Sequence, residues 1–343
     1  MKVLFVTSEA QPFAASGGLA DVSGSLPQAL RRRLIGTRIV MPLYDEIPQN
    51  LKDEMRFITS LSVPVAWRRQ YCGVFEARWG GVIYYFLDNQ YYFKRSGLYG
   101  HYDDAERFAF FSRAVLEMLP FIDFKPDIIH CNDWQTALVP TYYSLFYGQN
   151  QWYQGIKTIF TIHNIQYQGK YGTELYEEVV GIPQHQRSVL DWDGCINFMK
   201  GAIETANRVT TVSPSYAWEI RDPWFSHGLD PILNARSWKL CGILNGIDTD
   251  SYNPETDIQI YNNFSVDDLS GKAENKRKLQ ERLALEQNPG VPIIAMVTRL
   301  VSHKGLDLVK AALDQMMREE YIQFVILGSG DWEYESFFQS MQD

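Results

Sequence analysis

Cysteine is scarce and unpaired. The 343 residues hold four, Cys72, Cys131, Cys195 and Cys241, with no C-x-x-C spacing. That scatter fits neither a disulfide framework nor a zinc knuckle, so no metal is expected and a reducing, cytoplasmic compartment is. Long apolar runs are missing too. The opening Met1-Lys2-Val3-Leu4-Phe5-Val6-Thr7 is a short apolar strand followed by Ser8, too brief for the core of a secretory signal. No stretch approaches the ~18 apolar residues of a membrane span, so no membrane partner is expected. Positive charge is in deficit: 32 Lys and Arg against 41 Asp and Glu leave a net −9. That balance disfavours a general nucleic-acid binder. Neither G-x-G-x-x-G nor a Walker A run is present, which removes support for a nicotinamide or P-loop reading.

What remains is ordinary globular material with one excess. Apolar residues make up 45% and charged residues 21%, a composition that folds. At roughly 150 residues per domain the length suggests two domains. Aromatics reach 14%. Their faces stack well on sugar C–H groups, and they also fill cores.

Short apolar strands alternate with helical patterns. Val3–Val6, Arg38–Met41, Val82–Leu87, Asp127–His130, Thr158–Ile162, Arg208–Val212 and Lys239–Leu244 read as strands. Ala105–Leu119, Trp134–Tyr147 and Phe198–Ala206 read as helices. The alternation predicts an α/β fold with a mostly parallel sheet. Asn245-Gly246 and Asn253-Pro254 punctuate the end of this region, and a polar segment, 271–287, reads as an exposed helix or linker. A new strand–helix–strand unit follows at Pro292–Val297, Leu306–Glu319 and Gln323–Leu327. Two parallel strands do not complete an open α/β domain. The second domain is therefore expected to be incomplete, its remainder lying in a missing C-terminal half or a partner chain.

Ligands of open α/β sheets bind beyond the carboxyl ends of strands. Three turns there stand out. Ser16-Gly17-Gly18-Leu19-Ala20-Asp21-Val22 opens a helix near Leu19 and could present N–H groups to an anion; on its own it reads equally as a structural turn. Thr298-Arg299-Leu300-Val301-Ser302-His303-Lys304-Gly305 sets two cations at a strand end, suited to a diphosphate or to solvent. Gly328-Ser329-Gly330-Asp331 is the third.

Together these segments resemble the bacterial glycogen synthases and plant starch synthases of the ADP-glucose type. The resemblance rests on MKVLFVTS at 1–8 with Glu9 and Ala10, GGLADV at 17–22, Tyr99-Gly100, DAERF at 104–108, Asn132-Asp133-Trp134, TIHNIQYQ at 161–168, TVSPSY at 211–216, NGIDTD at 245–250 and TRLVSHKGLD at 298–307. It runs collinearly along the whole chain. It implies a GT-B glycosyltransferase fold of two Rossmann-like domains with the active site in the cleft between them. It also implies transfer of glucose from ADP-glucose to a glycogen or α-1,4-glucan acceptor with retention, and no cofactor. The implied division is 1–255 for the N-terminal catalytic domain, 256–290 for a linker and 291–343 for the start of the nucleotide-sugar domain.

By the same resemblance Arg299 and Lys304 hold the donor diphosphate, and Gly17 and Gly18 lie along the donor. His163 sits beside the donor glucose and the reacting centre. Asp133 and Asn245 lie near the glucose or acceptor. Asp21, Tyr92 and Asn164 are acceptor or loop contacts, and Gly328 and Gly330 approach the nucleoside. Read without the family, His163 is first a satisfied core histidine, Asp133 a cap for the next helix, Tyr92 a packing ring and Asn245-Gly246 a turn.

Two departures matter. The family loop reads Lys-x-Gly-Gly-Leu, whereas Ala15 occupies the lysine position here. Loss of one preorganised donor costs about 3–4 kcal/mol of transition-state stabilisation. The family's carboxylate motif of the C-terminal domain is absent, and Glu333 and Glu335 do not match its context. The alternative expectation is therefore a catalytically inactive glucan- or nucleotide-binding remnant.

Overall fold

In the computed structural model, which describes residues 1–342, the chain divides into two compact units, Met1–Asp248 and Thr249–Asp343. Each is described separately.

Seven strands come first in the larger unit: β1 (Lys2–Val6), β2 (Gly36–Pro42), β3 (Arg56–Val65), β4 (Arg68–Trp79), β5 (Val82–Asp88), β6 (Ile128–Asn132) and β7 (Lys157–Ile162). A small antiparallel sheet follows, from β8 (Lys170–Tyr171), β9 (Asp191–Trp192) and β10 (Cys195–Asn197). Strands β11 (Arg208–Thr211) and β12 (Leu240–Gly242) return to the main sheet. Among the described residues that sheet has nine strands in the order β12-β11-β7-β6-β1-β2-β5-β4-β3. The run from β12 to β5 is parallel, as the alternation predicts. Central strands such as β1, KVLFV, are nearly all apolar and buried because both faces of a parallel sheet are covered.

Strands β3 and β4 join as antiparallel neighbours at one edge and were not anticipated from the sequence. Their residues, RFITSLSVPV and RRQYCGVFEARW, interleave charged and polar side chains with buried ones such as Val63, Val65, Cys72 and Val74. An edge hairpin with one wet face lacks the continuous apolar run that marked the parallel strands. The helical stretch expected at Trp134–Tyr147 is three joined pieces: a 3-10 turn at Trp134–Thr136, an α-helix at Leu138–Tyr142 and a wider π turn at Tyr143–Tyr147.

The helix Gly18–Arg32 buries Leu19, Ala20, Ser23, Gly24 and Pro27 along one face, the spacing of an amphipathic helix. Arg31 and Arg32 in its last turn suit the negative end of the helix dipole. At Gly24 a Cβ would lie 3.0 Å from the Gln11 backbone oxygen, so only a very small residue lets this helix lie against the loop after β1.

The smaller unit holds β13 (Ile293–Val297) and β14 (Gln323–Leu327), paired in parallel with Ile294 opposite Phe324. Its helices are Ser270–Arg282, Leu306–Glu319 and Trp332–Ser340. The first of these overlaps most of the polar segment read as a helix or linker. Leu300, Leu306 and Tyr334 are the buried centre of this unit.

Candidate active site

Strand order in the main sheet reverses at β1: β2 lies on one side and β6 and β7 on the other. Crevices at such a reversal, beyond the carboxyl ends of the strands, are where open α/β folds bind ligands. The glycine loop follows β1, Asp133 follows β6 and His163 follows β7. Topology alone thus gathers these sequence-predicted residues at one end of the sheet.

Gly17 is extended, with φ −173°, and exposed, as is Gly18. A Cβ placed on either would meet no atom within 4 Å. Nothing in the protein's own packing or backbone requires glycine here, so the free space lies open to a ligand. No side chain caps the helix that starts at Gly18, which leaves its first N–H groups available to an anion. The loop is anchored from beneath by buried Glu9, whose carboxylate accepts from the Ser16 N–H. Burial raises the Glu9 pKa, partly countered by its hydrogen bonds to Ser16.

Asp133 has φ 55° and ψ 178°, a left-handed value that a residue with a Cβ adopts at a cost of order 1–3 kcal/mol. The capping alternative fails, since its side chain bonds no N–H of the following turn. Instead Oδ1 accepts from the backbone N–H of His163 at 2.7 Å and of Asn164 at 3.3 Å. The carboxylate ties the end of β6 to the end of β7. Burial pushes its pKa up to about 7, against the two N–H bonds that lower it.

The His163 ring is half-buried, and its Nε2 lies 3.0 Å from Asn132 Oδ1. Burial pushes its pKa down to about 4, so the ring is neutral at physiological pH. Beneath it His130 is pushed to about 3 by burial and by His163. The loop after His163 is held by Tyr216, whose hydroxyl accepts from the Ile165 N–H at 3.1 Å. Ser8 and Tyr99 share a 2.7 Å hydroxyl–hydroxyl bond past the end of β1.

The other expected residues are less closely gathered. Asp21 is exposed in the first turn of its helix. Asn164 is half-buried and its Oδ1 accepts from the Gln166 N–H at 2.9 Å. Asn245 is exposed in an irregular segment after β12. Tyr92 is enclosed rather than open: it is fully buried, its ring lies 4.9 Å from that of Phe110, and its hydroxyl donates to Glu106. A saccharide would find no Tyr92 surface to touch, so its place is in packing.

In the smaller unit Arg299 and Lys304 are both exposed around the 3-10 turn Ser302–Lys304. Between them the His303 imidazole is held below its ordinary value by burial, then by Lys304 and Arg299. Gly328 and Gly330 have a structural cause of their own. A Cβ on Gly328 would lie 1.9 Å from the Thr298 backbone oxygen, and one on Gly330 2.3 Å from that of Leu300. Only glycine lets the two strand-end loops approach this closely. Among the described residues no three His, Cys, Asp or Glu side chains converge as a metal site would require.

Glu9, Asn132 and Tyr216 had no assigned role in the sequence reading, although all three stand within the quoted segments. Their hydrogen bonds join elements distant in sequence, and no local spacing signals them.

The starch synthase catalytic domain family matches residues 2–235, and the chain belongs to that family. Among its relatives, the glycogen synthase of Alkaliphilus metalliredigens (strain QYMF) is 50% identical over 341 residues, covering 99% of this chain and 72% of its own length. The glycogen synthase of Geobacillus stearothermophilus is also 50% identical, over 99% of this chain and 70% of the relative. A solved structure, the catalytic domain of starch synthase IV from Arabidopsis thaliana bound to ADP and acarbose, is similar at a TM-score of 0.91 and 35% identity, covering 99% of this chain and 71% of that one. The fold is thus the GT-B glycosyltransferase type.

Proposed function

We propose that this chain is a glucosyltransferase of glycogen or starch synthesis, moving glucose from ADP-glucose to the non-reducing end of an α-1,4-glucan with retention. The observation that carries it is the open glycine loop of Gly17 and Gly18 at the same sheet end as Asp133 and His163. The departing ADP gains negative charge, and fixed cations and N–H groups stabilise it without reorganising. Arg299 and Lys304 are assigned to the diphosphate, where Arg clasps two oxygens and Lys adds a point charge. Gly17 and Gly18, with the uncapped N–H groups beyond them, are assigned to the donor. His163, neutral, lies beside the transferred glucose. Asp133 sets the backbone of the His163 loop and, with Asn245, borders the glucose or acceptor. Asp21 and Asn164 are acceptor contacts, and Gly328 and Gly330 shape the loop toward the nucleoside.

Support for a nucleoside diphosphate comes from the Arabidopsis relative, solved with ADP bound. The free cysteines suit a reducing cytoplasm, and no described helix is long and apolar enough to cross a membrane. We assign residues 1–255 to the catalytic, acceptor-side domain, 256–290 to a linker and 291–343 to the nucleotide-sugar domain. Incubating the chain with radiolabelled ADP-glucose and glycogen tests the proposal. Label in the polymer is the expected result; glucan binding by calorimetry without any incorporation favours the inactive remnant instead.

A further inference from the structure

Asn132, the last residue of β6, is fully buried directly beneath the His163 ring. Its amide orientation is fixed by two carbonyls. Nδ2 donates to the Val6 oxygen at 3.0 Å and to the His130 oxygen at 3.3 Å. A flipped amide would set Oδ1 against both carbonyl oxygens and leave them without this donor. The side chain therefore presents Oδ1, an acceptor only, to His163 Nε2 at 3.0 Å. An acceptor facing Nε2 requires hydrogen on that nitrogen. In a neutral imidazole the other nitrogen then carries a lone pair, because the bond made by one ring nitrogen sets the state of the other. Among the described residues no partner engages Nδ1, and the ring is half-exposed.

We propose that Asn132 is a positioning residue that holds His163 in the tautomer with hydrogen on Nε2, so that Nδ1 is the acceptor offered to a hydroxyl of the bound sugar. The sugar in this statement rests on the function proposed above; the tautomer does not. Depression of the His163 pKa supports it, since protonation would turn Nδ1 into a donor. The device spans three adjacent strands: β1 supplies the Val6 carbonyl, β6 the amide and the residue just after β7 the imidazole.

Nitrogen-15 NMR of the full chain labelled at histidine reads the tautomer without any turnover. The expected spectrum has His163 with a protonated Nε2 and an unprotonated Nδ1 across neutral pH. A protonated Nδ1, or rapid averaging of the two forms, overturns the proposal. Because this uses the unaltered chain, no folding defect can shield it. Asn132→Leu removes the acceptor, and the expected outcome is a mixture of tautomers with kcat/KM down about tenfold or more. An unchanged tautomer, or mixed tautomers with unchanged kinetics, counts against Asn132. Asn132→Asp keeps an acceptor; it should retain hydrogen on Nε2 while raising the ring's titration toward neutrality. Adding ADP-glucose or a maltooligosaccharide to the unaltered chain should shift the Nδ1 resonance. Binding seen by calorimetry with an unmoved Nδ1 overturns the acceptor role alone, whereas no binding of either sugar sinks the glucosyl-transfer reading itself.

Discussion

Asp133 combines a left-handed backbone, a tertiary hydrogen-bonding duty and a pKa pushed up to about 7. A carboxyl whose folded-state pKa lies above its unfolded value contributes stability fully present below the ordinary carboxylate range, and loses it as pH rises through the folded value. Asp133→Asn keeps an acceptor for the His163 N–H and removes the ionisation. Its melting temperature should exceed that of the parent by more at pH 8 than at pH 5, read by thermal unfolding at both; equal gains would refute the burial effect. His163 and His130 act in the opposite direction. Their depressed pKa values, about 4 and about 3, withdraw stability as pH falls from about 6.5 toward 4, because the unfolded chain takes up protons first. At position 15, restoring a cation beside the open loop by Ala15→Lys should raise kcat/KM for ADP-glucose, up to 10²–10³-fold if it recovers a full transition-state contact. Steady-state kinetics giving an unchanged or lower value would remove phosphate contact from that position. The strand ends that carry Asp133 and His163, and the longer loop after β1 that carries Gly17, were legible in the sequence because the strands before them are readable apolar runs. The job of Asp133 was not, since the donors it accepts from are N–H groups of the next strand's loop, thirty residues on, while a carboxylate before Trp134 looks locally like a cap.

At the scale of elements, the helix Asp104–Met118 is pinned by a buried ion pair. Arg107 is fully buried, bonds Asp104 at 2.5 Å and donates to the carbonyls of Tyr92 and Leu98 at 2.8 and 3.1 Å. Asp104 also accepts from the Gly100 N–H at 2.8 Å. Removing one partner strands a buried charge, so Asp104→Ala should cost about 3–5 kcal/mol in urea unfolding. A loss below ~1 kcal/mol would mean that the carbonyls alone satisfy the guanidinium. Gly242 ends β12 against backbone: a Cβ there would lie 2.0 Å from the Ser213 oxygen. Gly242→Ala should therefore destabilise by about 1–3 kcal/mol through forced backbone movement. The parallel strands were readable from their apolar runs. The β3–β4 hairpin was not, because its alternation is broken by Arg56, Arg68, Arg69 and Glu76, residues that a solvated edge tolerates and a central strand does not.

On the scale of the whole chain, the two units differ in how much they bury. The larger encloses a continuous core from Leu4 to Leu233, whereas the smaller has Leu300, Leu306 and Tyr334 as its buried cluster. Segments with few buried contacts open first. Limited proteolysis should cut within 249–342 before it cuts the larger unit, leaving a fragment ending near residue 248; simultaneous loss of both would show that they unfold together. Arg299→Ala should weaken ADP-glucose binding in calorimetry, and equal affinity would discard its diphosphate role. The fresh strand after the polar stretch at 271–287 was legible, whereas the division after Asp248 lies ahead of that stretch. Which loops approach in the smaller unit was not, since Gly328 meets Thr298 only through tertiary closeness.

The strands β1, β6 and β7 lie in the interior of the nine-strand sheet, each paired on both sides. Core strands open near the global unfolding free energy, so the amides of β1, β6 and β7 should be among the slowest in the larger unit to exchange with deuterium, and the loops they carry are seated on its most stable part. Heat or denaturant should therefore abolish ligand recognition by these loops in one step with the loss of the sheet, and not by gradual softening beforehand.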